Sequence, residues 1–343
     1  MLAVIIVNYR TADLTIDCVD ALADARAAFP GMRVIVVDGG SGDGSDERIA
    51  QSILERGQSD WVTAMPLALN GGFSYANNRA LAALTGSGGF PDAIALINPD
   101  ARVRPGALEA MAALFEREPG AGAVGARLEH EDGRPQASAF HFPSLRGEFC
   151  RGARIAIVER LLRQPPSRID ADVACQVPWV TGAAVMFRTA ALQAVGFFDE
   201  GFFLYFEETD LMRRLRAAGW QIWHEPTARV MHLGGVATQI RDPETGLPKV
   251  QRMPRYWYNS RRRYFALAGG RGYALMTGIA WVIGNALFQA GRAATRRRDS
   301  GPLRAMGDFV KFSLWPIKAD GSAAVLRFGV VADAEPAWMQ TRP

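Results

Sequence analysis

The sequence predicts an α/β protein built on a mostly parallel sheet, and three observations carry that prediction. Short, wholly apolar runs at residues 2–7, 34–37 and 93–97 have the length of strands buried on both faces. Helical patterns fill the gaps, over residues 12–28 and again in an alanine-rich segment after Arg79, as right-handed parallel crossovers require. Each run ends in polar residues: Asn8-Tyr9-Arg10, Asp38-Gly39-Gly40-Ser41 and Asn98-Pro99-Asp100. Chemistry-bearing side chains therefore collect at the carboxyl ends of the strands, where open α/β sheets bind ligands.

Composition narrows the classes further. Of 343 residues, 49% are hydrophobic and 22% charged, which suits one large core or two joined ones and excludes a disordered or fibrous chain. The net charge is only +4, but arginines crowd into residues 252–271 and 292–298. A basic tail of this kind suits an anionic membrane surface or a polyphosphate. No recognised nucleic-acid-binding module accompanies it, so nucleic acid is not an expected partner. Cys18, Cys150 and Cys175 lie far apart with no metal-ligand spacing, which predicts buried thiols in a reducing compartment. The first apolar run begins at Leu2 and is too short for a signal-peptide core, so the expected location is cytoplasmic.

Taken in order, the loop Asp38 to Ser45 offers glycines for close approach to a ligand, but their spacing is not a dinucleotide fingerprint and no Walker lysine follows. A strand over residues 61–69 leads into Asn70-Gly71-Gly72-Phe73 and Asn77-Asn78-Arg79 at a strand-to-helix junction. Its unpaired N–H groups suit an anion, and Arg79 is a bidentate phosphate donor; an N-capped helix with a solvated arginine is the plain alternative. Proline ends the 93–97 strand, so Asp100 sits just past the sheet edge, placed either to hold a divalent cation or to cap a helix starting near Pro105. The pattern loosens over residues 119–173, with a strand around 122–128 and a long connection through His141-Phe142-Pro143.

Signal returns at residues 179–188, read as one strand in which Gly182 lets something approach the backbone. Residues 202–206 are then almost entirely aromatic and run into Glu207, Glu208 and Asp210, which open a helix reaching Gly219. Those acids complement the helix dipole; apolar surroundings and like charge also raise a carboxylate toward the range of a general base. A last strand at 221–225 precedes His232-Leu233-Gly234-Gly235, where the histidine is a core residue or a metal or phosphate contact.

In this order the motifs resemble family 2 glycosyltransferases, in the bacterial rhamnosyltransferase-like branch that builds surface polysaccharides, over about residues 3–240. The resemblance rests on Val4-Ile5-Ile6-Val7-Asn8-Tyr9, Val36-Val37-Asp38 with Ser41 to Ser45, Asn70-Gly71-Gly72-Phe73, Asn77-Asn78-Arg79 and Leu96-Ile97-Asn98-Pro99-Asp100, then on Trp179 to Gly182, Gly196 to Leu211 and the His232 segment. It implies a GT-A fold, a Rossmann-like mixed sheet flanked by helices, with a nucleotide-diphosphate-sugar donor and an inverting single displacement.

Carried over motif by motif, Asn8, Tyr9, Asp38, Asn70, Gly72, Arg79 and Asn98 bind the donor, with Tyr9 near the base and Asp38 on the pyrimidine. Trp179, Thr181 and Gly182 face the acceptor. Asp100 and His232 hold Mg²⁺ or Mn²⁺, and Glu208 takes the acceptor proton, with Asp210 as its substitute and Glu207 beside it. Two departures matter: Glu208 stands where Asp is commoner, and Asn98 leaves Asp100 as the only carboxylate in its triplet. The implied donor is dTDP-rhamnose and the implied acceptor a polyprenyl-diphosphate-linked saccharide; a non-catalytic sugar-binding or scaffold protein with a decayed site is the alternative.

Residues 1–125 are expected to form the nucleotide-sugar half, 126–240 the acceptor and catalytic half, and 241–343 a basic extension. Within the extension, apolar residues 273–290 carry Thr277, Trp281, Asn285 and Gln289 at spacings of four. That polar stripe with arginines at both ends predicts either a helix lying on the inner face of the cytoplasmic membrane or a buried domain helix. Arg261 to Arg263 are read as phosphate contacts or a solvated basic face.

Overall fold

The computed structural model describes residues 1–86, 90–234, 252–295, 302–314 and 325. The amino-terminal part alternates strand and helix: β1 (Leu2–Asn8), α1 (Ala12–Asp20), β2 (Arg33–Asp38), α2 (Ser45–Glu55), β3 (Val62–Pro66), α3 (Gly72–Gly86) and β4 (Ala93–Ile97). β3, β2, β1 and β4 lie side by side and parallel, in a register that sets Asn8 beside Asp38 and Asp38 beside Pro66. Their continuous apolar runs follow from burial on both faces. Val4, Ile6, Val34, Val36, Ala95 and Ile97 join one core, while Ala3, Ile5, Ile35, Val37, Ile94 and Leu96 join the core on the opposite face.

Beyond Asp100 come β5 (Ala101–Val103), α4 (Ala107–Arg117), β6 (Ala121–Glu129), β7 (Ala139–Phe140), α5 (Leu145–Ala153), α6 (Ala156–Leu161), β8 (Arg168–Ile169), β9 (Cys175–Gln176), β10 (Trp179–Val180), β11 (Ala184–Arg188), α7 (Thr189–Val195), α8 (Glu207–Ala217) and β12 (Gln221–His232). The main sheet runs β3-β2-β1-β4-β11-β6-β12-β5, with β9 on β12, and β11 is antiparallel to both neighbours. A small antiparallel sheet, β10-β7-β8, stands off it. The mixed, mostly parallel sheet flanked by helices is therefore as the sequence predicts.

Four boundaries differ from expectation. The helix over 12–28 ends at Asp20 and becomes a short 3-10 turn at Asp24–Ala27. The polar stretch 70–79 is not a loop before a helix, since α3 already begins at Gly72. Residues 179–188 are not one strand: Thr181-Gly182-Ala183 breaks them into β10 and β11, which belong to different sheets. The strand at 221–225 instead runs on to His232, absorbing a register shift between Glu225 and Arg229 that includes Pro226.

The carboxyl-terminal region is helical, with α9 (Arg255–Thr295), kinked at Gly269 and Gly270, and α10 (Ala305–Phe309). Its arginines correct the reading of a phosphate-facing cluster. Arg261 is fully buried against Glu148 of α5, N···O 2.5 Å, and Arg263 is buried against Asp199 at 2.7 Å. Burial pushes the Glu148 carboxyl up, but Arg151 and Arg261 outweigh it and hold the group below the usual carboxylate range. These are the bolts that fix α9 to the α/β domain. Close backbone contact adds to them: a Cβ on Gly152 would lie 2.3 Å from the Trp281 carbonyl oxygen, and one on Gly284 2.2 Å from that of Phe149.

The polar stripe of α9 points inward, not toward solvent. Thr277, Trp281 and Asn285 are buried and Gln289 is partly so. Cys18 and Cys150 are buried thiols, whereas Cys175 is half-buried, and none is in a disulfide. Gly235 and Arg296 to Arg298 lie outside the described residues.

Candidate active site

At the carboxyl edge of β1 and β2 lies a closed polar network. Asn8 donates its side-chain amide to Asp38 Oδ1 at 2.6 Å and accepts from the Thr11 N–H, the Thr11 hydroxyl and the Thr15 hydroxyl. Asp38 also accepts from the Ser41 N–H at 2.9 Å and the Ser41 hydroxyl at 2.6 Å. Asn8 is fully buried and its oxygen already takes three donors, so it positions this edge. Tyr9 is partly exposed beside it, with the Arg10 guanidinium 5.2 Å from its ring centre. Ser41 is a member of the network that sequence reading left without a role.

The second polar segment serves to join motifs. The Asn70 side chain accepts from the Gly72 N–H at 3.0 Å. Gly72 has φ +86°, and a Cβ there would lie 2.1 Å from the Phe203 carbonyl oxygen, so only glycine lets the two chain segments meet. Asn78 donates to the Phe198 carbonyl and to Glu200, and Arg79 pairs with Glu200 at 2.6 Å while covering the Tyr75 ring. The reading of Gly72 and Arg79 as donor contacts is corrected accordingly: both are used inside the protein, to hold residues 196–211 against α3.

Asp100 is buried just beyond β4, and its Oδ1 lies 3.3 Å from His232 Nε2 at the end of β12. The pairing of β12 with β5 sets His232 beside Ala101 and so brings the distant histidine to the carboxylate. Gln136 orients the ring, its oxygen 3.3 Å from His232 Nδ1 and its amide donating to the His232 carbonyl at 2.5 Å. Among the described residues no three His, Cys, Asp or Glu side chains form a cluster suited to a metal ion. Asp100 and His232 alone, one oxygen and one nitrogen donor, could hold a divalent cation only if further ligands came from outside these residues.

Glu208 lies on the adjoining rim. The Asn98 N–H donates to the Ala183 carbonyl at 2.9 Å, and a Cβ on neighbouring Gly182 would stand 3.7 Å from Glu208 Cβ. Asn98, two residues before Asp100, and Glu208 thus flank the same break between β10 and β11. Tyr205 and Phe206, immediately before α8, have φ of 71° and 70°, left-handed values that cost non-glycine residues about 1–3 kcal/mol each. This strained turn delivers Glu207 and Glu208 onto the first turn of the helix. Burial raises the Glu208 carboxyl above its usual range, with backbone N–H groups including that of Gly182 opposing the rise. Burial and then the Glu208 charge push Glu207 well above it.

Asp210 behaves differently: it is buried, Arg213 takes one of its oxygens at 2.6 Å and Arg214 the other at 2.9 Å. A carboxylate so paired has no free oxygen for a substrate, which corrects its reading as a substitute base.

On the far side of Glu208 opens a cavity of about 610 Å³. Phe140 and Trp179 stack at 4.6 Å on one wall, and the Trp179 indole N–H is fixed to the His141 carbonyl at 3.0 Å. Tyr205, Phe206, Trp257 and Arg151 supply further lining. Thr181, named from the sequence as an acceptor contact, is not among the lining residues; its N–H donates to the Ser138 carbonyl at 3.0 Å. Of the site residues proposed from the sequence, only Trp179 and Glu208 line it; the other walls come from the 140–143 and 164–168 connections, α5, Tyr205-Phe206 and α9.

The sequence matches the model of glycosyl transferase family 2 over residues 3–196, more than half the chain, and that of glycosyl transferase family group 2 over residues 167–312. The chain belongs to the family 2 glycosyltransferases, in the rhamnosyltransferase-like branch. It is 32% identical over 227 residues, 62% of its length and 70% of the relative's, to the N-acetylglucosaminyl-diphospho-decaprenol L-rhamnosyltransferase of Mycobacterium tuberculosis, in strains CDC 1551 and H37Rv alike.

Among solved structures it resembles the mannosyltransferase PcManGT of Pyrobaculum calidifontis in complex with GDP-Man and Mn²⁺. The TM-score there is 0.53 at 15% identity, covering 87% of this chain and 76% of that one. S. aureus TarS 1-349 in complex with UDP-GlcNAc matches with TM-score 0.52 at 14% identity, covering 90% and 78%. At such identities the likeness establishes the fold, which is the GT-A type with a helical carboxyl-terminal region. In this glycosyltransferase Asn98, just past β4, and Glu208, at the start of α8, both adjoin the β10–β11 break, and Asp100 follows Asn98 by two residues.

Proposed function

We propose that the chain transfers rhamnose, or a related deoxyhexose, from a nucleotide-diphosphate donor such as dTDP-rhamnose to a hydroxyl of a polyprenyl-diphosphate-linked saccharide, with inversion. Residues 1–125 bind the donor and 126–240 bind the acceptor. The observation that carries this reading is Glu208, a carboxylate raised by burial on the wall between the sheet edge and an aromatic cavity. The mycobacterial relative, by name a rhamnosyltransferase for a diphospho-decaprenol-linked sugar, supports the choice of sugar and of acceptor.

Tyr9 and the Asp38–Ser41 loop seat the nucleotide. Asp100 and His232 would hold Mg²⁺ or Mn²⁺, which when bound neutralises the diphosphate leaving group. Glu208 takes the proton from the acceptor hydroxyl as that oxygen attacks the anomeric carbon on the face away from the diphosphate. The aromatic pair Phe140–Trp179 offers the apolar face on which an acceptor sugar ring stacks. Because Asn98 stands where an acid is commoner, Asp100 and His232 would hold the cation only weakly without the donor's phosphates.

The test is transfer to N-acetylglucosaminyl-diphospho-polyprenol from dTDP-rhamnose, with UDP- and GDP-sugars as comparison donors. The reading predicts product with dTDP-rhamnose, loss in chelator and recovery with Mn²⁺ or Mg²⁺. Absence of both transfer and donor hydrolysis with every sugar and metal would favour the non-catalytic scaffold.

A further inference from the structure

The second half of α9 has its polarity reversed relative to a helix that merely covers a domain. Thr277, Trp281 and Asn285 face the protein, and the outward side carries Leu275, Met276, Ile279, Ile283 and Leu287, each 42–51% exposed. Residues spaced by three and four form one stripe on a helix, and twelve residues of rise make this one roughly 18 Å long. Gly272, Ala286 and Ala290 are exposed along the same side, and no charged residue intervenes between Arg271 and Arg292. A contiguous apolar patch of this size on a folded surface marks an interaction site. The helix is long and apolar enough to cross a membrane by composition. Its buried side is locked to α5 through Gly152 and Gly284, which leaves it flat along the protein.

A neighbouring element extends the patch. Arg154 ends α5 and lays its guanidinium 5.0 Å from the Phe288 ring of α9. α6 follows directly, exposing Ile157 at 66% and Leu161 at 76%, with Leu162 beyond them. Arg160 and Arg163 are exposed among these residues, and Glu159 is the one acid of α6. α9 has no acid over Arg255–Thr295; Arg261 and Arg263 are held in buried ion pairs, and Arg271 and Arg292 bracket the aliphatic stripe.

We propose that this face docks on an anionic lipid bilayer, with the second half of α9 lying in the plane of the interface and α6 beside it. Charge decides against a second copy of the chain as the occupant. A two-fold contact sets a patch against itself and would bring arginine against arginine, whereas lipid phosphates complement the rim while acyl chains take the aliphatic stripe. The inference rests on exposure and charge alone, not on the chemistry at Glu208. It also gives the cavity an address, because α5, on which this half of α9 packs, lines it with Gly147, Glu148 and Arg151.

Flotation of the full chain with phosphatidylcholine vesicles, with and without phosphatidylglycerol, tests the proposal without any transfer assay. The expected result is binding to the anionic vesicles that weakens with salt. Ile279→Glu with Ile283→Glu and Leu287→Glu lowers it at least tenfold, and Leu54→Glu on α2 leaves it unchanged. The pair Arg160→Glu and Arg163→Glu removes only the increment due to phosphatidylglycerol, and it decides the matter should the triple variant fail to fold. Unchanged flotation of a folded triple variant overturns the proposal, as does an unchanged increment in the arginine pair. No vesicle binding, together with a dimer in sedimentation that the triple variant dissolves, assigns the face to a second copy.

Discussion

The two ends of this glycosyltransferase are stabilised by opposite means. The β1–β4 edge is local and self-sufficient: Asn8, Thr11, Thr15, Asp38 and Ser41 satisfy one another within a stretch of 34 residues. The α9 side is held by partners far away in sequence, Arg261 on Glu148 and Arg263 on Asp199, with side chains that are almost wholly out of water. A local network tolerates loss of one distant element, whereas a buried ion pair turns into an uncompensated charge when either member goes. The β1–β4 edge should therefore survive damage that detaches the α9 side.

The sharpest way to break that contrast is Arg261→Ala. It leaves Glu148 with only Arg151 and is expected to cost about 3–5 kcal/mol in urea unfolding. Replacing both partners, Arg261→Met with Glu148→Leu, should recover most of the loss. An equally damaging Ser41→Ala would erase the distinction between the two ends. A smaller effect is expected of Trp179→Ala, which removes the stacked wall: acceptor KM rises about tenfold, as loss of one aromatic stacking contact of 0.5–1.5 kcal/mol allows, and donor binding is unmoved. Equal rises in donor and acceptor KM would place Trp179 outside the acceptor cavity.

Smallest is the effect of Glu207→Gln on stability, and it depends on pH. Burial and the Glu208 charge raise the folded-state carboxyl, so between its unfolded and folded pKa values the native protein binds more protons than the unfolded chain. Its stabilising share is complete below the unfolded value and is lost as pH rises through the folded one. Glu207→Gln should accordingly raise the melting temperature more at pH 8 than at pH 4, and a shift independent of pH would contradict the assigned burial.

The sequence disclosed these regions unequally, for physical reasons. Strands buried on both faces write unbroken apolar runs, so β1, β2 and β4 were legible to within a residue or two. Acids set among aromatics at Glu207 and Glu208 were legible because a solvated helix start has no use for Phe202, Phe203 and Phe206. The break at Thr181-Gly182-Ala183 was hidden, since a turn of small residues between apolar pairs reads like a continuous strand. Periodicity located the stripe of Thr277, Trp281 and Asn285 but could not say which side of the helix faces out; only packing against Gly152 decides that. The cavity was invisible for the same reason: Phe140, Arg151, Tyr205 and Trp257 come from four separate segments. Arg79 and Asp210 carried the right chemistry for a site, but Glu200, Arg213 and Arg214 engage them within the fold.

The central claim is that Glu208, and not a neighbouring acid, moves the acceptor proton. The pH dependence of kcat/KM in wild type, Glu207→Gln and Glu208→Gln tests it directly. Wild type and Glu207→Gln should lose activity on acidification with an inflection above the ordinary carboxylate range, because burial alone raises Glu208. Glu208→Gln should lack that inflection and turn over about 10²-fold more slowly with donor affinity unchanged. An acidic limb that persists in Glu208→Gln at near wild-type turnover would contradict the account.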